Sequence, residues 1–198
     1  ASESIVGIIY TASSILAIIA FIEMPGILKR FHNRRTTTGL IVLELFSVVG
    51  LIYGNDVISI VSSFILNFVA IALINFTIDI FLERYSADGS TGKIRGLFLS
   101  ISNSAWVLAP IIGSKLLDYA GFPGVYVVSG LLLVPVAFLV YIYLHGVKPL
   151  EYERIPFWRG LAMVWANRDI KKILMAMFLL QFFYAWMVIY TPIYLHET

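Results

Sequence analysis

The chain has 198 residues, of which 60% are hydrophobic and 13% charged, and its 14 Lys and Arg against 12 Asp and Glu leave a net charge of +2. That share of charge is about half that of a soluble globular domain, and the near-neutral balance argues against a polyanion binder, so no nucleic-acid partner is expected. The absence of cysteine excludes disulfides, thiolate metal sites and cysteine nucleophiles.

Six apolar runs meet or approach the roughly 20 residues that a helix needs to cross a hydrocarbon core of about 30 Å. No basic n-region precedes the first run, so the start does not read as a cleavable signal peptide. The first run covers about 5 to 22 and is expected to stop at Glu23, Pro25 and Gly26, residues of the kind that end helices. A basic loop, 29 to 35, follows. The second run covers about 38 to 53 and the third about 57 to 82, joined by Gly54, Asn55 and Asp56; so tight a turn implies an antiparallel hairpin. After a polar loop at 83 to 93, the fourth covers about 96 to 117 and the fifth about 125 to 144, with Gly121, Pro123 and Gly124 between them. A long charged segment, 145 to 172, precedes the sixth run at about 173 to 195. Lipid offers no hydrogen-bond partners, so runs of this kind are helices. The fold class is therefore an all-α integral membrane protein with six transmembrane helices.

With loops alternating sides, Lys115 stands alone on one side and the other 13 of the 14 Lys and Arg fall opposite it. The positive-inside rule makes the basic side cytoplasmic. Both ends of this segment are then expected on the outer side of the cell membrane.

Three stretches resemble the major facilitator superfamily. "GILKRFHNRR" at 26 to 35 resembles the family's signature between helices two and three, G-x-L-x-D-R-x-G-R-R. Gly26, Leu28, Arg34 and Arg35 match; Arg30 stands where the family has Asp, Phe31 where it has a basic residue, and Asn33 where it has Gly. After Gly, Asn best tolerates a left-handed turn. "RGLFLSISNSAWVLAPIIGS" at 95 to 114 resembles the fifth-helix pattern G-x8-G-x3-G-P-x2-G-G, carried here by Gly96, Ala105, Ala109, Pro110, Gly113 and Ser114. Small residues let helices approach closely and proline bends a span, so this surface is expected to pack and hinge. In the family the pattern is associated with antiporters, drug exporters among them. "FWRGLAMVW", inside 145 to 172, is an aromatic and basic amphipathic stretch suited to the membrane interface, as in the family's central loop.

The resemblance implies an incomplete bundle of family helices two to seven. Residues 1–144 would hold five helices of the amino-terminal half without its first, 145–172 the cytoplasmic central loop, and 173–198 the first helix of the other half. It implies a permease: a secondary active transporter that moves a small solute by alternating access. Its partners would be the bilayer, that solute and the remainder of its own chain, with protons as the candidate coupling ion and no cofactor or metal. A non-transporting scaffold or receptor is the alternative. An intramembrane enzyme is disfavoured, because His32, His145 and His196 lie in loops or at the end and no G-x-S-x-G or H-E-x-x-H string occurs.

Ionisable and amide side chains inside a span are expensive, so each one needs a reason. Asn67, Asn75 and Asp79 on the third run are expected to share one broad inward face, with the two amides as substrate contacts. Asp79 and Glu83 lie one turn apart at the end of that run, where the resemblance sets them beside Arg34 and Arg35 as a latch on the inner gate. Glu44 lies several residues inside the second run with no basic residue in its own helix, and is the candidate for proton coupling. Ser100, Asn103 and Ser104 share a face of the fourth helix, and Gln181, Tyr184 and Thr191 a face of the sixth; both are candidate cavity linings. Trp106, Trp186 and Tyr190 add aromatic surface for stacking a ligand, and Tyr10, Thr11 and Ser14 form a weaker polar group on the first run.

Overall fold

The computed structural model describes residues 3–85, 91–143 and 157–197, and among the described residues there is no strand. The helices are α1 (Glu3–Tyr53), α2 (Val57–Tyr85), α3 (Thr91–Tyr143), α4 (Phe157–Ala166) and α5 (Arg168–Glu197). All but α4 are long and apolar enough to cross a membrane.

At 51 and 53 residues, α1 and α3 would each run about 75 to 80 Å as straight rods, more than twice a hydrocarbon core. Each is interrupted once. His32 has φ 62° and ψ 153°, and Gly121 has φ 65° and ψ −172°. So α1 consists of arms 3–31 and 33–53, and α3 of arms 91–120 and 122–143. With α2 and α5, these arms account for the six apolar runs.

The boundaries differ from expectation in instructive ways. The first helix carries Pro25 inside it and continues to His32. A proline removes one donor, and membrane helices tolerate that loss where neighbouring groups take up the freed carbonyl. The stretch 29–35, expected as a loop, is helical apart from one residue. That residue is His32, while Asn33, the expected left-handed position, is buried and helical. The fifth helix likewise begins at Arg168, well before its apolar run. Asn167 Oδ1 accepts from the backbone N–H of Asp169 at 3.0 Å and of Ile170 at 3.2 Å, so the helix begins at its cap. The polar expectations at 86–90 and 145–156 lie outside the described residues.

The chain packs as two units. In Ala12–Tyr152, Met24, Leu28 and Leu73 form a core, with Ala20, Leu40, Val69, Phe76 and Ile80 packed against it. Leu40 joins Met24 and Leu28 there, so the arms of α1 lie side by side against α2. The turn at Gly54–Asp56 closes as the sequence predicts: Gly54 N–H donates to the Gly50 carbonyl at 2.9 Å, and Asp56 Oδ2 accepts from Ser59 N–H at 2.9 Å to cap α2. Lipid tails are as apolar as leucine, so close approach occurs at small residues. A Cβ on Gly50 would stand on the Ser63 hydroxyl, and one on Gly130 would come 3.3 Å from Val48. The other unit joins residues 1–11 to the chain from 153 onward. There Gly7 faces the Tyr190 hydroxyl, 3.7 Å from where its Cβ would lie.

Candidate functional site

Among the described residues, polar side chains meet between the second arm of α1 and α2, both on helices apolar enough to cross a membrane. Glu44 and Ser47 sit three residues apart, hence on one face, and are 3% and 1% exposed. Asn67 of α2 is half-buried against them and donates from Nδ2 to Glu44 Oε1. The same nitrogen lies 3.4 Å from Ser47 Oγ. Ser47 has one hydroxyl hydrogen; it donates to the Glu44 carbonyl at 2.7 Å, leaving only a 3.4 Å contact to Oε2. The carboxyl is thus held by neutral groups, and among the described residues no Lys or Arg pairs with it. Gly50 on Ser63, one turn along each helix, sets the close approach that lets the pair form.

A second polar group continues the same antiparallel register towards the His32 break. Asn33 Nδ2 donates to the Thr77 carbonyl at 3.3 Å, and the hydroxyls of Thr37 and Thr77 return to carbonyls of their own helices at 2.8 Å. Asn33 Oδ1 and Thr36 Oγ1 are buried without a hydrogen-bond partner among the described residues. Thr36, Thr37 and Thr77 carried no signal in the sequence beyond being polar, whereas Asn33 stood out only as the residue where the resembled signature has Gly. Ser47 did carry one, its spacing of three from Glu44.

The remaining candidates spread over other surfaces. Asn75 and Asp79 are exposed while Asn67 is inward, because eight residues carry a helix about 80° past full turns. Asp79 pairs with Arg95 of α3 at 3.9 Å, and the Arg34 guanidinium lies 4.7 Å from the ring centre of Tyr141. Arg35 and Glu83 are exposed, and Gly26 is half-buried. On the first arm of α3, Ser100, Asn103 and Ser104 share an exposed face, each donating to the carbonyl four residues back at 2.9 Å. Gly96 and Gly113 have open space where a Cβ would stand, and Ala105 and Ala109 are exposed, so the small-residue surface makes no tight contact among the described residues. The helix runs through Pro110 and breaks at Gly121 instead. On α5, Gln181 and Tyr184 are exposed. Beside them Phe182, Ala185, Trp186, Ile189 and Tyr190 line an apolar groove of about 450 Å³.

The family model described as Major Facilitator Superfamily matches residues 1–198, the whole chain. The chain belongs to the Major Facilitator Superfamily. The chain matches no curated protein and no solved structure. As a member of the superfamily it is a multi-pass membrane transporter, set in lipid and acting on a small molecule. In this superfamily protein the signature stretch at 26–35 is where the first arm of α1 turns into the second, with Leu28 in the core and Asn33 tied to α2.

Proposed function

We propose that this superfamily member is a proton-coupled secondary transporter that moves a small solute by alternating access, with Glu44 as the group that takes up and releases the proton. The observation that supports this reading is a carboxyl buried between two membrane helices whose partners, Asn67 and Ser47, are both neutral. A carboxyl at that depth is costly and calls for a function. Neutral donors allow it to gain and lose a proton without breaking an ion pair. The exposed face of Ser100, Asn103 and Ser104 is the proposed solute contact, since its hydroxyls keep free acceptor positions after bonding to their own backbone. Gln181 and Tyr184 are a separate proposed contact on α5. Asp79–Arg95 is the proposed latch: an exposed pair between the end of α2 and the start of α3 breaks at little cost and supplies contacts that differ between two states. The basic side of the protein is proposed to face the cytoplasm, and the helices to correspond to family helices two to seven.

The test is flux of a panel of labelled small solutes into sealed vesicles holding this chain together with the remainder of its bundle, with and without an imposed pH gradient. Glu44→Gln is expected to keep solute exchange at equal pH and lose the response to the gradient. Full gradient dependence in Glu44→Gln removes Glu44 from the coupling; no solute flux by the wild type removes the transport reading of this chain.

A further inference from the structure

We infer that the junction of α4 and α5 is a binding site for anionic phospholipid headgroups in the leaflet on the basic side of the protein. Helix α4 is strongly amphipathic. Its Trp158, Leu161 and Trp165 fall on one face and are 76%, 39% and 58% exposed, with Arg159 on another. One residue, Asn167, separates α4 from the first turn of α5, which presents Arg168, Lys171 and Lys172. The Lys171 ammonium lies 4.4 Å from the ring centre of Trp165, a cation–π contact that ties a charge to the aromatic face.

Lys172 pairs with Asp169 at 3.4 Å, whereas Arg168 and Lys171 have no acidic partner among the described residues. The first backbone N–H groups of α5 are occupied by Asn167, so the side chains, not the helix end, supply the positive field. The apolar stretch of α5 begins at Ile173, immediately after these cations. They therefore stand within a few ångströms of the hydrocarbon boundary, at the depth of lipid phosphates, where indole rings also settle. Four cations, Arg159, Arg168, Lys171 and Lys172, face one acid, Asp169, across this short stretch. A zwitterionic headgroup carries no net charge to complement that excess; an anionic one does. A soluble acidic partner would meet the cations but leave the indoles and the adjoining apolar span uncovered, which a lipid covers together. The inference rests on the membrane fold alone and not on proton coupling.

The experiment uses the whole chain in phosphatidylcholine vesicles, with Trp106→Phe and Trp186→Phe so that Trp158 and Trp165 are the reporters. A small fraction of lipid brominated on its acyl chains is added, as phosphatidylglycerol in one series and as phosphatidylcholine in the other. Brominated phosphatidylglycerol is expected to quench more strongly at equal fraction. Arg168→Ala with Lys171→Ala should lower that preference about tenfold or more, given the attraction lost per cation. Arg168→Lys with Lys171→Arg should keep it, showing that charge rather than folding is responsible. Equal quenching by the two lipids, or a preference that the double alanine variant leaves intact, overturns the proposal. So does absence of quenching, which would put the face off the membrane, or relief of quenching by inorganic phosphate, which would make the site one for a free anion.

Discussion

The pair formed by the second arm of α1 with α2 and the first arm of α3 carry similar polar side chains but use them differently. Between α1 and α2, amides reach across: Asn67 to Glu44 and Asn33 to the Thr77 carbonyl. On α3, Ser100, Asn103 and Ser104 all return to their own backbone and stay exposed. The glycines divide in the same way, since Gly50 is pressed against Ser63 while Gly96 and Gly113 have open space around them. In lipid, small residues decide how near two helices come, and nearness decides whether a polar side chain bonds to a neighbour or to itself. The first pair is thus a built interface, and the α3 face stays exposed among the described residues.

Substitutions at glycine test that contrast most severely. Gly50→Val sets a branched side chain on Ser63 and should cost about 2 to 3 kcal/mol, by the usual penalty for overpacking, and part Asn67 from Glu44. Gly96→Val and Gly113→Val, with nothing to strike, should shift thermal unfolding in detergent far less. Equal losses at all three positions would show that the α3 face is packed after all.

Next in size is Asn67→Leu, which strips Glu44 of its main side-chain donor and should destabilise by about 1 to 3 kcal/mol, the cost of an unpaired buried polar group. Asn103→Leu removes only a bond within its own helix and should fall below about 1 kcal/mol in the same denaturation series.

His32→Gly should act in the opposite direction. A side chain at φ 62° and ψ 153° is strained by about 1 to 3 kcal/mol, and glycine relieves that while loosening the unfolded chain, for a net gain of about 1 kcal/mol. A lower melting temperature would mean that the imidazole makes a contact worth more than the strain.

The smallest effect is expected at Asp79 and Arg95. A double-mutant cycle with alanine at both should give a coupling below about 1 kcal/mol, because both side chains are more than half exposed. A larger value would make this pair part of the packed region.

Much of the fold was legible from the chain. The turn at Gly54, Asn55 and Asp56, the six apolar runs and the helical amphipathic segment all follow from local composition. Helix ends were less so. Pro25 was read as a stop but lies within α1, because a helix in lipid has no competing solvent for its backbone. The candidate site was legible only in part. Glu44 stood out by its cost, yet its pairing with Asn67 depends on how α1 and α2 are rotated, and the grouping of Asn67 with Asn75 and Asp79 was undone by that same rotation. Thr77 gave no advance sign, since short polar residues are ordinary in membrane helices, and Asn33 was expected as a left-handed turn rather than as a donor to α2.

Hydrophobic length is a property of the chain taken one residue after another, so the sequence by itself determined that this protein crosses a membrane, that its spans are helices and to which family it is similar. Which side chains meet is not such a property. Lipid rewards no particular face of an apolar helix, so rotation and register are chosen by a few close contacts, Gly50 on Ser63 and Met24, Leu28 and Leu73 in the core. Only the tertiary structure decided that Glu44 would lie buried beside Asn67 while Ser100, Asn103 and Ser104 stayed open.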